Sequence, residues 1–279
     1  MSEPTRAAFA GGDQQYLKAD QYADTSNLDA RANLHHRYTT AAERWQPWMV
    51  ARIPWPADGA VLEVGCGTGT IWEFGGEVPN TAGLIVSDLS AGMVRASLSV
   101  RGQLAPDEST DGVVSDAQAL PYPHHTFSLA IANHMLYHLP DPSLGIAEMA
   151  RVLRPGATLA AATNGAHHLE EILEIERAVF PELGPGAHLT VSVFGLENGA
   201  ALLADSFENV RLMRYADVLA VTEPADLLAY LRSYPPGQTA TADQDAALVA
   251  EVNRRFAEGN GVVQVRKDVG LFLATAPQG

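Results

Sequence analysis

Short apolar runs recur along the middle of the chain, each ending in glycines or acidic residues and each followed by a stretch with helical spacing. Ala60-Val61-Leu62-Glu63-Val64 leads into Gly65-Cys66-Gly67-Thr68-Gly69, a pattern that predicts a buried strand, a tight turn and a helix. Gly83-Leu84-Ile85-Val86-Ser87-Asp88 predicts a second strand, with Ser90 as the N-cap of a helix reaching about Val100. Val113-Val114 ahead of Asp116 marks a third, and Phe127 to Asn133 a fourth. Helical spacing over Ser143–Leu153 is broken by Arg154-Pro155-Gly156, after which Thr158–Thr163 reads as a fifth strand. Buried strands alternating with helices predict a parallel sheet covered on both faces, with a ligand at the carboxyl ends of the strands.

The flanks carry different patterns. The first 57 residues show helical spacing between about Leu28 and Ala51, no strand pattern, and three of the four tryptophans. Helical spacing returns over Leu169–Phe180, Glu223–Tyr234 and Ala242–Ala257, while Asn209–Tyr215 and Val262–Thr275 read as strands completing the sheet. The expected organisation is a helical N-terminal cap or lid over 1–57, a nucleotide-binding core over 58–163, and completion of the sheet with helical cap insertions over 164–279. At 279 residues, one large domain with an appended cap is the expected size class.

Composition narrows the partners. A formal charge of -15 repels polyanions and disfavours nucleic acid. No apolar stretch has the length of a membrane span, and the N-terminus has no basic start followed by an apolar run, so the expectation is a soluble, cytoplasmic protein. The one cysteine, Cys66, can form neither an internal disulfide nor a thiolate zinc site. His134 and His138 have ligand spacing, but the Glu of a His-Glu-x-x-His motif and a third ligand are missing. No metal site is expected, and His35, His36, His124 and His125 read as surface residues.

The glycine turn carries the chemistry, because glycines let backbone approach a ligand where a side chain would block it. A dinucleotide fingerprint needs a glycine three residues after Gly67, where Thr70 stands instead. Glu63 before the turn disfavours a phosphate and favours a ligand with positive charge. Asp88 is placed to accept hydrogen bonds from a ribose diol, and Asp116 suits an exocyclic amine. Together these residues describe a pocket for a cationic nucleoside.

On these motifs, together with Ser87-Asp88-Leu89-Ser90-Ala91-Gly92-Met93, Asp116-Ala117-Gln118-Ala119-Leu120-Pro121 and Arg151-Val152-Leu153-Arg154-Pro155-Gly156, the chain resembles the class I S-adenosylmethionine-dependent methyltransferases, in particular their small-molecule group. The resemblance covers about residues 58–163. It implies an α/β, Rossmann-like sheet of seven mostly parallel strands with helices on both faces, plus a helical cap, and S-adenosyl-L-methionine as cofactor. It implies that Glu63, Gly65, Cys66, Gly67 and Gly69 line the methionine part, that Asp88 holds the ribose, and that Leu89 and Met93 flank the adenine. Asp116 and Ala117 would meet the adenine amine edge, and Asn133 would lie near the transferring methyl.

Methyl transfer from a sulfonium needs alignment and exclusion of water, and a hydroxyl or acidic carbon acceptor also needs a base. His134 after the fourth strand and His168 after the fifth are the candidates, while Tyr16 and Tyr22 resemble N-terminal tyrosines that reach over the methyl donor in some relatives. The expected acceptor is a neutral or amine-bearing small molecule, with a specialised metabolite favoured and the oligomeric state left open. A nicotinamide-dependent Rossmann oxidoreductase and a non-catalytic module that binds the same cofactor remain as alternatives.

Overall fold

The structure is a computed structural model that describes residues 26–75, 83–105, 110–183 and 189–278. In chain order, helices α1 (Ser26–Tyr38) and α2 (Trp45–Val50) precede β1 (Ala60–Val64), α3 (Thr70–Phe74), β2 (Leu84–Asp88), α4 (Ala91–Leu104), β3 (Thr110–Val114) and β4 (Phe127–Asn133). Then come α5 (Pro142–Val152), β5 (Leu153–Asn164), α6 (Glu170–Val179), α7 (Leu189–Val193), α8 (Gly199–Ala204), β6 (Glu208–Val221), α9 (Pro224–Leu231), α10 (Ala242–Glu258) and β7 (Val263–Thr275). The strands form one sheet in the order β3-β2-β1-β4-β5-β7-β6. β1 to β5 run parallel, and β7 is inserted antiparallel to both β5 and β6. This is the Rossmann-like, mostly parallel α/β sheet expected from the sequence.

Local chemistry explains the elements. β1 is apolar at four of its five positions and buried throughout its last four, as a central parallel strand covered on both faces must be. Ser90 caps α4 by accepting the Met93 N–H, and Asp141 caps α5 by accepting from Ser143 and Leu144. Three expectations are corrected. The helical stretch over Leu28–Ala51 is two helices, interrupted where Thr39 bridges Leu219 of β6. β5 begins at Leu153 and passes through Arg154-Pro155-Gly156, because Gly156 takes a positive φ and its N–H bonds Ala276. β6 continues six residues beyond Tyr215, to Val221.

That continuation shapes the molecule. β5 ends at Asn164, opposite Val269, whereas β6 and β7 stay paired from Tyr215 with Val269 out to Val221 with Val263. The two strands therefore project past the carboxyl ends of the parallel strands as a two-stranded ribbon. Helices α1, α6, α9 and α10 pack around it in a hydrophobic core of their own, containing Leu34, Ile172, Leu219, Leu227, Leu231, Leu248 and Val265. Leu34 is fully buried there, contributing about 1.5 to 3 kcal/mol to a helix whose remaining sequence is mostly polar. The turn after α1 is clamped to the ribbon by Asp217, whose carboxylate accepts from the Thr39 hydroxyl at 2.6 Å and from the Thr40 and Ala41 N–H groups at 3.1 and 3.0 Å.

Candidate active site

Strand alternation places one polar row along the carboxyl edge of the sheet. Glu63 pairs with Ile131 and Val86, Asn133 with Ala162, Asn164 with Val269, and Asp217 with Lys267. Because successive residues alternate faces, Asp88, Glu63, Asn133, Asn164, Lys267 and Asp217 lie on the same face, the one that also carries Trp45, Met49 and Trp72 in its hydrophobic cluster.

The first half of the row is the glycine turn. Gly65, Gly67 and Gly69 all have positive φ, at 68°, 53° and 85°, a conformation that costs other residues about 1 to 2 kcal/mol. A Cβ on Gly65 would meet the Met135 side chain at 2.6 Å. The turn folds around Asp88, which accepts the Gly67 N–H at 3.0 Å on one oxygen and the Ser90 N–H at 2.9 Å on the other. Each oxygen keeps a lone pair for a ribose hydroxyl. Burial pushes the Asp88 carboxyl above its usual range, against the N–H bonds that lower it.

Glu63 is buried, and its Oε2 accepts the Trp72 indole N–H at 2.6 Å. Burial raises its pKa to about 8, opposed by the Trp72 bond and by Arg101 and reinforced by Asp88. The side chain thus braces the turn against α3. Cys66 is buried and its thiol is driven far upward by burial and by the nearby carboxylates, which leaves it inert as a nucleophile. Met93 and Ala117 are buried, while Leu89 and Asp116 are half-exposed, and Asp116 accepts the Gln118 N–H at 2.9 Å.

The second half of the row meets the helical layer. Asn133 ends β4, and His134 follows it in the left-handed region at φ 55, a strained position of the kind that clusters at functional sites. Its ring lies edge-on to Trp45 at 5.6 Å. Burial lowers the His134 pKa to about 4, with the Lys267 charge adding to the effect. His168 stacks on His35 at 5.8 Å, which brings the two base candidates to one seam between sheet and helices. His35 and His36 are not surface residues: both are packed inward, and burial lowers the pKa of each. The tyrosine candidates Tyr16 and Tyr22 lie outside the described residues. His138 sits in a single 3-10 turn over Leu136–His138 rather than sharing a helix face with His134. Among the described residues no group of three metal-ligating side chains comes together.

Trp45, Tyr215, Asp217 and Lys267 were missed in the sequence. The signal was present in the alternation Tyr215-x-Asp217-x-Leu219-x-Val221 and Val263-x-Val265-x-Lys267-x-Val269, which places a carboxylate and one of the chain's two lysines on the buried face of a strand pair.

Residues 62–161 match the sequence model of the family described as a methyltransferase domain. Over that stretch the chain is similar to a methyltransferase domain. It is 31% identical over 117 residues to the ubiquinone/menaquinone biosynthesis C-methyltransferase UbiE of Geobacter sulfurreducens, covering 40% of this chain and 44% of that protein. It is 32% identical to the methyltransferase GfsG of Streptomyces halstedii, covering 50% and 55%, and 29% identical to the 27-O-demethylrifamycin SV methyltransferase of Amycolatopsis mediterranei, covering 57% and 59%. The matched stretch thus spans about half the length of these relatives. Among solved structures, the YcgJ protein of Bacillus subtilis superposes with a TM-score of 0.57 at 18% identity, covering 84% of this chain and 98% of that one. Phosphoethanolamine N-methyltransferase 2 of Haemonchus contortus, solved with S-adenosylhomocysteine, gives 0.54 at 16% identity, covering 96% and 60%.

The cofactor expected from the sequence is S-adenosyl-L-methionine. The residues present fit it: the three positive-φ glycines make a cradle with no room for a Cβ at Gly65, and each Asp88 oxygen, bonded to one N–H group, keeps acceptor capacity for a hydroxyl.

Proposed function

We propose that the whole chain is an S-adenosylmethionine-dependent methyltransferase acting on a small molecule, bound between the carboxyl ends of β4 and β5, the amino-terminal half of β7 and helices α1 and α2. One observation carries this reading. His35 Nδ1, His36 Nε2, Trp45 Nε1 and Asn133 Oδ1 are buried and have no hydrogen-bond partner among the described residues. Four such atoms at one seam cost about 1 to 3 kcal/mol each, a penalty that a bound acceptor with polar groups removes. Gly65, Gly67, Gly69 and Cys66 shape the methionine end, Asp88 takes the ribose, Leu89 and Met93 flank the base, and Asp116 with Ala117 meets its amine. Glu63 holds the turn against Trp72, and Asn133 lies beside the reacting methyl.

When bound, S-adenosylmethionine supplies a methyl group on an already activated leaving group. The chain's own residues then have three tasks: to hold the acceptor in line, to keep water out and to manage its proton. Trp45, Trp48 and Tyr215 form the apolar wall, with ring centroids 5.4 to 5.5 Å apart. His134 is a neutral imidazole able to hydrogen-bond the acceptor, and His168, stacked on His35, is the second group able to do so; Tyr22 belongs to the segment proposed to close over the donor. Residues 1–57 and the helices between Glu170 and Glu258 act as the cap, and 58–163 as the cofactor core. The similarity to the 27-O-demethylrifamycin SV methyltransferase supports a specialised metabolite as acceptor. The charge of -15 supports a partner other than nucleic acid, and a cytoplasmic site of action accords with the single buried thiol. No described helix is long and apolar enough to cross a membrane.

Incubation with S-adenosylmethionine and a panel of phenols, amines and enols, read by S-adenosylhomocysteine release, tests the reading. Acceptor-dependent release is expected. Cofactor binding without release from any acceptor would favour a non-catalytic module, and binding of NAD in its place would favour an oxidoreductase.

A further inference from the structure

Lys267 is a cation in a place where cations are costly. It lies on the polar row with 6% of its side chain exposed, and its Nζ is 3.5 Å from Asp217 Oδ2. Burial lowers its pKa, against the stabilising carboxylate. Yet Asp217 does not depend on it. The carboxylate already accepts from Thr39, Thr40 and Ala41 and from the Val218 N–H at 2.8 Å. An ammonium has three donors, and the 3.5 Å contact with Oδ2, the oxygen that also accepts from Thr39, satisfies one of them weakly. Its other neighbour is the Tyr215 ring, 5.1 Å from Nζ, which attracts the charge without taking a conventional hydrogen bond. A buried pair of this quality is a poor source of stability.

Its position is more informative. Lys267 extends the row that holds Asn133 and Asn164, on the face lined by Trp45 and Tyr215. The groups facing it are Asp217, Tyr215, His35, His36 and His134, and its charge is felt by all three histidines. On the opposite face of the ribbon a cleft of about 640 Å³ runs past Thr40, His167, Ala216 and Val218 and borders Lys267. Burial disfavours the charged form of all three histidines facing it, whereas the Asp217 carboxylate favours the charged form of Lys267.

Resting on the methyltransferase reading, we propose that Lys267 is a specificity-determining residue that binds the acceptor as an oxyanion, so that the pocket selects acidic hydroxyls, phenols or enols, in their ionised form. The hydroxyl proton is left in bulk water before docking. No residue of the chain receives it, and the ammonium balances the charge that enters. Asp217 holds the ammonium in place, and Tyr215, whose hydroxyl is tied to the Glu43 carbonyl at 2.6 Å, walls it on one side.

The test uses 4-nitrophenol as the probe, because its ionised form is coloured, on the full chain saturated with S-adenosylhomocysteine at a pH one unit below the phenol's own pKa. The wild type should bind the phenolate and raise its colour. Lys267→Met should weaken phenolate binding by about tenfold to a hundredfold while calorimetric S-adenosylhomocysteine affinity stays within about twofold, and Lys267→Arg should retain part of the preference. The double variant Lys267→Met/Asp217→Asn removes both charges and separates a lost oxyanion site from an unpaired carboxylate; it should behave as Lys267→Met does. A wild type that takes no phenolate, or binds phenol and phenolate alike, overturns the proposal, as does a double variant with wild-type phenolate affinity. Loss of S-adenosylhomocysteine binding by the wild type would instead defeat the methyltransferase reading on which the proposal rests.

Discussion

Replacing Glu63 with glutamine should convert a burial penalty into a measurable slope. In the folded chain Glu63 is 1% exposed, and burial lifts its pKa from 4.5 to about 8. A folded-state pKa above the unfolded one means that the folded protein keeps a proton the unfolded chain has lost. The associated stability is fully present below about pH 4.5 and drains away as pH rises toward 8. At about 1.4 kcal/mol per pH unit, roughly 3 kcal/mol should disappear between pH 5 and 8. The substituted amide keeps an acceptor for the Trp72 N–H and never ionises, so the variant lacks this component. His35, His36 and His134 have lowered pKa values, and their contribution is lost in the opposite direction, as pH falls through the region below 6.5. They are common to both proteins and cancel in the difference. Urea unfolding of both chains from pH 5 to pH 8.5 should therefore show the variant gaining about 3 kcal/mol on the wild type. A constant offset across that range would mean that Glu63 is an ordinary ionised carboxylate and that the bracing role assigned to it is mistaken.

Other expectations concern the turn and the seam. Asp88→Ala should weaken S-adenosylhomocysteine binding by about 2 to 3 kcal/mol, measured by calorimetry, and unchanged affinity would remove it from the ribose site. Gly65→Ala should lower stability by about 1 to 2 kcal/mol through its positive φ, with a further cost from Met135 Cβ and Cγ at 2.6 and 2.7 Å, of which Met135→Ala removes only the Cγ part; denaturant melts of the single and double variants separate the two. His134→Ala should reduce kcat while leaving cofactor affinity within about twofold, and because its pKa lies near 4, the wild-type rate should show no loss attributable to this group between pH 5.5 and 8. A rate that collapses below pH 6.5 and is restored in the alanine variant would show that His134 keeps an ordinary pKa.

The half of the site that is local in sequence was legible there. Val61 to Asp88 encode strand, turn and acidic strand end within 28 residues, and the positive-φ glycines and the Asp88 bonds to Gly67 and Ser90 lie where that pattern puts them. The acceptor side was not legible, because Trp45, His134, Tyr215 and Lys267 come from four distant segments. His35 and His36 sit in a polar stretch that reads as solvent-facing, and only docking of α1 on the ribbon turns them inward. The extra length of β6 escaped notice because Ala216 to Val221 alternates about a buried aspartate rather than an apolar residue. A charge on the inward face of a strand breaks the binary pattern, and here it marks the place where the chain's two halves meet.

The insertion of β7 between β5 and β6 sets an order of assembly. Among the described strands β6 has no partner in the sheet except β7, and the ribbon on which α1, α6, α9 and α10 settle does not exist until residues 263–275 have been made. As the chain leaves the ribosome, β1 to β5 can close on one another early, through contacts between near neighbours in sequence. The helices made afterwards, and α1 made before all the strands, must wait for that final strand. The nucleotide-handling half is therefore the template on which the acceptor-handling half is completed. A nascent chain stalled before Val263 should protect its central strands from protease while its helical layer is still open to cleavage.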